Sequence, residues 1–123
     1  SALNKVKPPF NVSRPALFAA SAAIKDISWL KKEVNHIRKW NKILFKKFKE
    51  MKIATNESKT NFLLLNFDRV NISSKKVFQQ LANAGILVRT MQIYGIENSL
   101  RITIGKSKEN KKLISILRKI LNV

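Results

Sequence analysis

Hydrophobic residues recur at intervals of three and four in two long segments of the chain, and this spacing predicts amphipathic helices. The longer segment begins at Asp26 or Ser28, and its apolar side chains form one seam: Leu30, Val34, Ile37, Leu44, Phe48 and Met51. The last segment, after a predicted N-cap at Ser107, repeats the pattern with Leu113, Ile116, Leu117, Ile120 and Leu121. Each helix is therefore expected to bury one face and expose the other.

A shorter helix is predicted before these two. Ser13 is a suitable N-cap, and Pro15 falls in the first turn, where proline is tolerated. Residues 16–24 are nearly all small or apolar, so this helix carries apolar side chains on several sides. We expect it to expose an apolar face in the isolated chain and to promote self-association. Residues 1–12, which include two prolines, are predicted to be extended.

Three further segments have the composition of β-strands. Residues 61–67 are apolar on both faces and predict a central strand, while residues 86–89 and 100–104 predict two more. An edge strand is expected near residues 52–55, and a helix capped by Ser73 is expected to end at Gly85. This order predicts an α+β fold: a small, mostly antiparallel sheet packed with helices and preceded by a long helix.

Two arginines lie at matching positions in the last two predicted strands. If these strands form a hairpin that is symmetric about Gly95, Arg89 lies directly across from Arg101. Like charges in such a pair repel each other, and an anion held between the two guanidinium groups would relieve the repulsion. Two arginines that extend into water fit the same spacing. The pattern thus suggests an anion site without identifying the anion.

Composition excludes several kinds of chemistry. The 123 residues suffice for one compact domain, and the absence of cysteine excludes disulfides, thiolate zinc sites and a cysteine nucleophile. The single histidine, His36, cannot form a histidine metal cluster and is predicted to lie on the solvated surface. The three glycines stand apart, so a glycine-rich phosphate loop is excluded. We therefore expect no metal site and no catalytic residue within this chain.

The longest apolar run, residues 62–65, is far shorter than the about 20 residues that cross a bilayer. Neither a membrane association nor a secretory signal is expected, and we predict a cytoplasmic location. Because the chain lacks an initiator methionine and opens within a pattern, we expect it to be part of a longer protein.

The net charge of +18 suggests nucleic acid or another anionic surface as a partner. Lysine supplies 19 of the 25 positive charges and is spread over every segment, and an excess of lysine, isoleucine and asparagine is what AT-rich coding gives to any protein. Nucleic-acid readers more often use arginine and interleaved aromatic residues. A basic nucleic-acid-binding module therefore stays as the alternative from another class, with weak and non-specific association expected.

Four short stretches, in this order, resemble the histidinol-phosphate aminotransferase branch of the fold-type-I pyridoxal-phosphate aminotransferases. They are Pro9-Phe10-Asn11-Val12-Ser13 with the alanine-rich helix to Asp26; Thr60-Asn61-Phe62-Leu63-Leu64; Gly85-Ile86-Leu87-Val88-Arg89; and Leu100-Arg101-Ile102-Thr103-Ile104-Gly105 with Glu109-Asn110. The resemblance extends from about Lys5 to Leu121. Aromatic-amino-acid aminotransferases and threonine-phosphate decarboxylases share much of this layout, so an aromatic or related class I/II aminotransferase remains the alternative within the family.

The resemblance implies that this chain is the C-terminal small domain of such an enzyme, with inter-domain helices over residues 1–51 and an α/β sandwich over 52–123. The large domain, with the lysine that bonds pyridoxal 5'-phosphate, would precede it. The chain alone is then expected to be inactive and to bind no cofactor. The parent would be a cytoplasmic homodimer that transfers an amino group between histidinol phosphate and 2-oxoglutarate, through glutamate, in histidine biosynthesis.

The resemblance also implies substrate-binding roles for three residues. By position, Arg101 is similar to the arginine that binds the α-carboxylate of the amino-acid substrate, and Arg89 to one that helps hold the phosphate end of histidinol phosphate. Asn11 resembles a residue at the mouth of the active site. None of the 19 lysines matches the cofactor-bonding motif.

Overall fold

Five helices and four strands make up the computed structural model, which describes residues 2–6 and 12–123. The helices are α1 (Ala2–Val6), α2 (Arg14–Lys25), α3 (Ile27–Glu50), α4 (Ser74–Asn83) and α5 (Ser107–Leu121). The strands are β1 (Ala54–Thr55), β2 (Phe62–Asn66), β3 (Arg89–Thr90) and β4 (Ser99–Thr103), with a short 3₁₀ turn at Gln92–Tyr94. The chain divides into two compact units, Ser1–Val34 and Asn35–Val123. This boundary falls within α3, and the division after residue 51 that the resemblance implies stays a prediction.

The sheet has the strand order β1-β2-β4-β3, and every pair of neighbours is antiparallel. The two longest strands, β2 and β4, are therefore central, and the α+β class predicted from the sequence is confirmed. Leu63 lies opposite Ile102 and Leu65 lies opposite Leu100, and all four side chains are buried. This face of the sheet is the apolar one.

Side chains from the second half of α3, from α4 and from α5 complete the hydrophobic core on that face. The fully or nearly fully buried members are Trp40, Leu44, Phe48, Val77, Leu81, Leu113 and Leu117. Of these, Leu44, Phe48, Leu113 and Leu117 lie at positions that the sequence pattern assigns to the inner faces of α3 and α5. Burying such side chains is the main source of stability for a domain of this size.

The central strand predicted over residues 61–67 is present as β2, but only one of its two apolar faces is fully buried. Along β2 the burial alternates: Leu63 and Leu65 are buried, Phe62 is exposed, and Leu64 and Asn66 are half-buried. The helices of the second unit pack against one face of the sheet only. Arg101 lies on the other face, because it pairs with Leu64.

Two segments differ from the predicted secondary structure. Residues 2–6 form the short helix α1 rather than an extended segment. Residues 86–88, predicted as strand, do not join the ladder, and β3 begins only at Arg89. The reason lies at the end of α4, where the Ile86 backbone N–H donates to the Leu81 carbonyl and closes the helix. The donor at Ile86 is thereby used in the helix cap.

The junction between β4 and α5 is built differently from the serine cap that the sequence suggests. The Glu109 carboxylate accepts a hydrogen bond from the Lys106 backbone N–H at 2.7 Å, while Ser107 Oγ accepts one from the Trp40 indole at 3.1 Å. His36, predicted to be a solvated surface residue, is half-buried, and its Nε2 lies 2.9 Å from the Gly105 carbonyl oxygen. The contacts made by His36 and Trp40 join α3 to the region where α5 starts.

Helix α2 begins as predicted, with Ser13 Oγ accepting from the Ala16 N–H, and none of its side chains is buried. Leu17, Phe18 and Ile24 are 53%, 78% and 75% exposed. The expected exposed apolar face is therefore present.

We expect this face to drive self-association of the 123-residue chain, because water is released when such apolar surfaces meet. Replacing the most exposed side chain, Phe18→Ser, should lower the average mass measured by sedimentation equilibrium at a given concentration. Tyr94→Ser, an exposed aromatic on the other unit, serves as the control. An equal effect of both variants, or none from Phe18→Ser, would contradict the prediction.

Candidate functional site: the open face of the sheet

The candidate site is the face of the sheet that α3, α4 and α5 leave uncovered. Three neighbouring strands contribute to it: Phe62 and Leu64 from β2, Arg101 and Thr103 from β4, and Arg89 from β3. Side chains alternate between the two faces of a strand. Residues that lie opposite each other on neighbouring strands are on the same face of the sheet, so these five residues share one face. Apart from Leu64 and Arg101, which are half-buried, all are exposed.

The two arginines lie directly across from each other. Arg89 is the register partner of Arg101, as the symmetry about Gly95 predicts, and Thr90 pairs with Leu100. Side chains at such paired positions start only about 4.5–5.5 Å apart at Cβ. The structure thus brings the two predicted arginines together on one surface.

Each guanidinium group is supported by its own aromatic ring. The Arg101 guanidinium carbon lies 5.0 Å from the ring centroid of Phe62, and that of Arg89 lies 5.3 Å from the ring centroid of Tyr94. Both distances are within the range of cation–π attraction. Arg89 Nη2 also donates a hydrogen bond to the Tyr94 hydroxyl. The rings hold the two like charges in fixed places without neutralising them.

Tyr94 reaches Arg89 because the chain turns sharply between β3 and β4. The 3₁₀ turn ends at Gly95, whose φ of +69° lies in the left-handed region that glycine adopts without strain. The Gly95 N–H donates to the Gln92 carbonyl and closes the turn. Sequence reasoning did not assign Tyr94 to the site, although Gly95 at the centre of the predicted hairpin is a signal for such a turn.

Neither arginine has a carboxylate partner within 4.0 Å in the part of the chain that the structure describes; the ion pairs found there join Glu50 to Lys47 and to Arg118. The Arg89 and Arg101 charges are therefore available to an anion from outside. Planar guanidinium groups bind carboxylate and phosphate oxygens through paired hydrogen bonds. The surface can therefore bind a small anion, and it can orient a molecule that carries one.

Two further residues considered from the sequence are Asn11 and His36. Asn11 lies outside the described residues. His36 is committed to the Gly105 carbonyl. Among residues 2–6 and 12–123, no group of three acidic or histidine side chains is placed to share a metal ion.

A second polar cluster, at the opposite end of β2, is structural. Asp68 accepts hydrogen bonds from the side-chain amides of Asn98 and Asn66, both at 2.8 Å, and these bonds lower the pKa of the Asp68 carboxyl. The Asn98 Oδ1 atom accepts from the Ser74 N–H at the start of α4. The cluster fixes the loops around α4 and keeps Asp68 ionised, so Asp68 is a poor candidate for acid–base chemistry.

Comparison with known proteins gives the class. Residues 1–117 match the family described as "Aminotransferase class I and II". The chain is 43% identical to the histidinol-phosphate aminotransferase of Pelagibacter ubique (strain HTCC1062), over 99% of this chain and 34% of that protein. It is 38% identical to histidinol-phosphate aminotransferase 2 of Pseudomonas fluorescens (strain Pf0-1), over 97% of this chain and 31% of that protein.

Solved structures share the fold. The histidinol-phosphate aminotransferase of Clostridium acetobutylicum superposes with a TM-score of 0.86 at 23% identity, over 98% of this chain and 36% of that one. That of Sinorhizobium meliloti, in complex with pyridoxal-5'-phosphate, gives 0.86 at 22% identity, over 98% and 33%.

The chain belongs to the aminotransferase class I and II family. It spans about a third of the length of the curated relatives that it matches. None of the helices in the described ranges combines the length and the apolar character that a membrane span requires.

Proposed function

We propose that this chain is part of a histidinol-phosphate transaminase and supplies the anion-binding arginines of its substrate site. The reaction would move an amino group between histidinol phosphate and 2-oxoglutarate, through glutamate, in histidine biosynthesis. The observation that carries the proposal is the pairing of Arg89 with Arg101 on an open sheet face, with no carboxylate partner in the described part of the chain. The names of the relatives, at 30–43% identity over nearly the whole chain, support the choice of substrate.

The chemistry of the two substrates matches two neighbouring arginines. Glutamate presents an α-carboxylate, which one guanidinium group can bind through both oxygens. Histidinol phosphate lacks that carboxylate and carries a phosphate ester instead, which has more acceptor oxygens and a greater charge. In our proposal Arg101 binds the α-carboxylate and Arg89 joins it in binding the phosphate. Asn11 at the mouth of the site is part of the same proposal.

The described residues do not fit the cofactor of the family. Pyridoxal phosphate, when bound, supplies the electron sink that amino transfer requires, and it needs a lysine held in an enclosed site. Every described lysine is exposed except Lys47, which is half-buried and pairs with Glu50 at 2.8 Å. We therefore propose that residues outside this chain hold the cofactor, in a large domain that the longer relatives have room for. The 123-residue chain alone would then be inactive.

The homodimer and the cytoplasmic location expected from the resemblance stay predictions, as does weak, non-specific binding of nucleic acid. The charge of +18 alone would give an association whose affinity falls steeply with salt concentration. The exposed aromatic rings of the site, Phe62 and Tyr94, already lie against Arg101 and Arg89. One face of each ring is therefore less available for stacking with bases.

Substrate preference tests the proposed function. Full-length protein loaded with pyridoxal phosphate should transaminate histidinol phosphate with a kcat/KM well above that for phenylalanine or tyrosine, with 2-oxoglutarate as acceptor. The phosphate would engage both arginines, whereas an aromatic amino acid offers only one carboxylate. A clear preference for phenylalanine or tyrosine would instead identify an aromatic aminotransferase. The 123-residue chain, assayed in parallel, should give no turnover.

A further inference from the structure

The phenol of Tyr94 has an unused hydrogen-bond donor beside the two arginines. A hydroxyl group can accept and donate at the same time. The Tyr94 oxygen accepts from Arg89 Nη2, and in the part of the chain that the structure describes no acceptor takes the Tyr94 O–H. The side chain is 52% exposed, so the O–H is free to meet a ligand.

Three donor groups therefore lie on, or directly after, the paired strands β3 and β4. Arg101 is held over Phe62, Arg89 lies opposite Arg101, and Tyr94 is fixed to Arg89 by both its ring and its hydroxyl. A carboxylate has two oxygens, and one guanidinium group can satisfy both. A phosphate monoester has three terminal oxygens, so it can use the additional donors.

We propose that Tyr94 is a substrate-binding residue that favours a phosphate monoester over a carboxylate, by donating its O–H to a phosphate oxygen while Arg89 holds the phenol in place. This inference rests on the proposed function and adds to it a residue that sets specificity. Neither the resemblance nor the geometry of the arginine pair alone assigns this role. The left-handed Gly95 contributes by directing Tyr94 back toward β3.

The variant Tyr94→Phe in the full-length protein separates the contribution of the hydroxyl to substrate binding from that of the ring. The ring stays over Arg89, while the donor to the anion and the acceptor for Arg89 Nη2 are both lost. We expect the KM for histidinol phosphate to rise about 10-fold with kcat nearly unchanged, because a hydrogen bond to a charged group is lost from substrate binding. The KM for glutamate should change less than about 2-fold. Ile93→Ala, an exposed residue in the same turn, is the control and should leave both constants unchanged.

Binding of inorganic phosphate, measured by calorimetry on the same proteins, keeps the inference separate from the proposed function. We expect Tyr94→Phe, but not Ile93→Ala, to weaken phosphate binding about 10-fold. If the wild type does not transaminate histidinol phosphate while Tyr94→Phe still weakens phosphate binding, the proposed function is wrong but the phosphate site is supported. If the wild type uses histidinol phosphate and Tyr94→Phe leaves both the KM and the phosphate affinity unchanged, the role of Tyr94 is wrong. An equal rise in KM for histidinol phosphate and glutamate would also overturn the claimed preference.

Discussion

Arg101→Ala is expected to lower kcat/KM of the full-length protein about 100-fold, for both glutamate and histidinol phosphate. The substitution removes paired hydrogen bonds from a charged donor to the substrate anion, each of which contributes about 1.5–3 kcal/mol. A loss of about 3 kcal/mol corresponds to roughly 100-fold in rate at 25 °C. Arg101→Lys should recover only part of the activity, since an ammonium group keeps the charge but cannot bind both oxygens in the planar geometry.

The matched control is Arg118→Ala, the same substitution on α5. Arg118 is half-exposed and lies 3.6 Å from Glu50 in a surface ion pair, a type that contributes little to stability. Its kcat/KM should stay within about 2-fold of the wild type. Equal losses from Arg118→Ala and Arg101→Ala would attribute the effect to overall charge. Wild-type activity of Arg101→Ala, with its circular dichroism unchanged, would remove Arg101 from the site.

The largest effect on stability outside the apolar core is expected for Asn110→Ala. The Asn110 side chain is 2% exposed and makes two hydrogen bonds to the backbone of Gly105: it accepts from the N–H at 2.9 Å and donates to the carbonyl at 2.8 Å. The carbonyl keeps a second partner, His36 Nε2, but the N–H would be left without one. Such a loss costs about 1–3 kcal/mol for each unsatisfied group, so we expect a decrease of about 2 kcal/mol in the free energy of unfolding.

Urea unfolding of the 123-residue chain, followed by circular dichroism, measures this change as a lower transition midpoint. Asn83→Ala, an exposed asparagine in the last turn of α4, is the control, and its free energy of unfolding should change by less than about 0.5 kcal/mol. Equal midpoints for the two variants would show that the bonds to Gly105 do not stabilise the domain.

The sequence pattern predicts helices α2 to α5 and the position of the arginine pair, because these features depend on residues that are neighbours in the sequence. Helical spacing identifies α3 and α5, because one apolar face per helix repeats with the helical period. The register of Arg89 with Arg101 follows from a short hairpin centred on a glycine, since a turn fixes the pairing of the strands that it joins. Both kinds of prediction depend on residues that are close in the sequence.

The structure differs from the sequence predictions where contacts between residues far apart in the sequence determine the local structure. His36 and Trp40 on α3 bond to Gly105 and Ser107, partners almost 70 positions away that no local pattern indicates. Gly105 itself permits the cap of α5, since a Cβ atom there would lie 2.4 Å from the Glu109 carboxylate. The sequence does not assign Tyr94 to the site, because its contact with Arg89 depends on how the turn folds back.

A crystal structure of the full-length protein with histidinol phosphate tests the central claim most directly. Our account predicts that phosphate oxygens lie about 2.7–2.9 Å from guanidinium nitrogens of both Arg89 and Arg101, the usual length of a charge-assisted hydrogen bond. The Tyr94 hydroxyl should contact a third phosphate oxygen. A phosphate bound elsewhere, with Arg89 and Arg101 still facing solvent, would contradict the assignment of this sheet face as the substrate site.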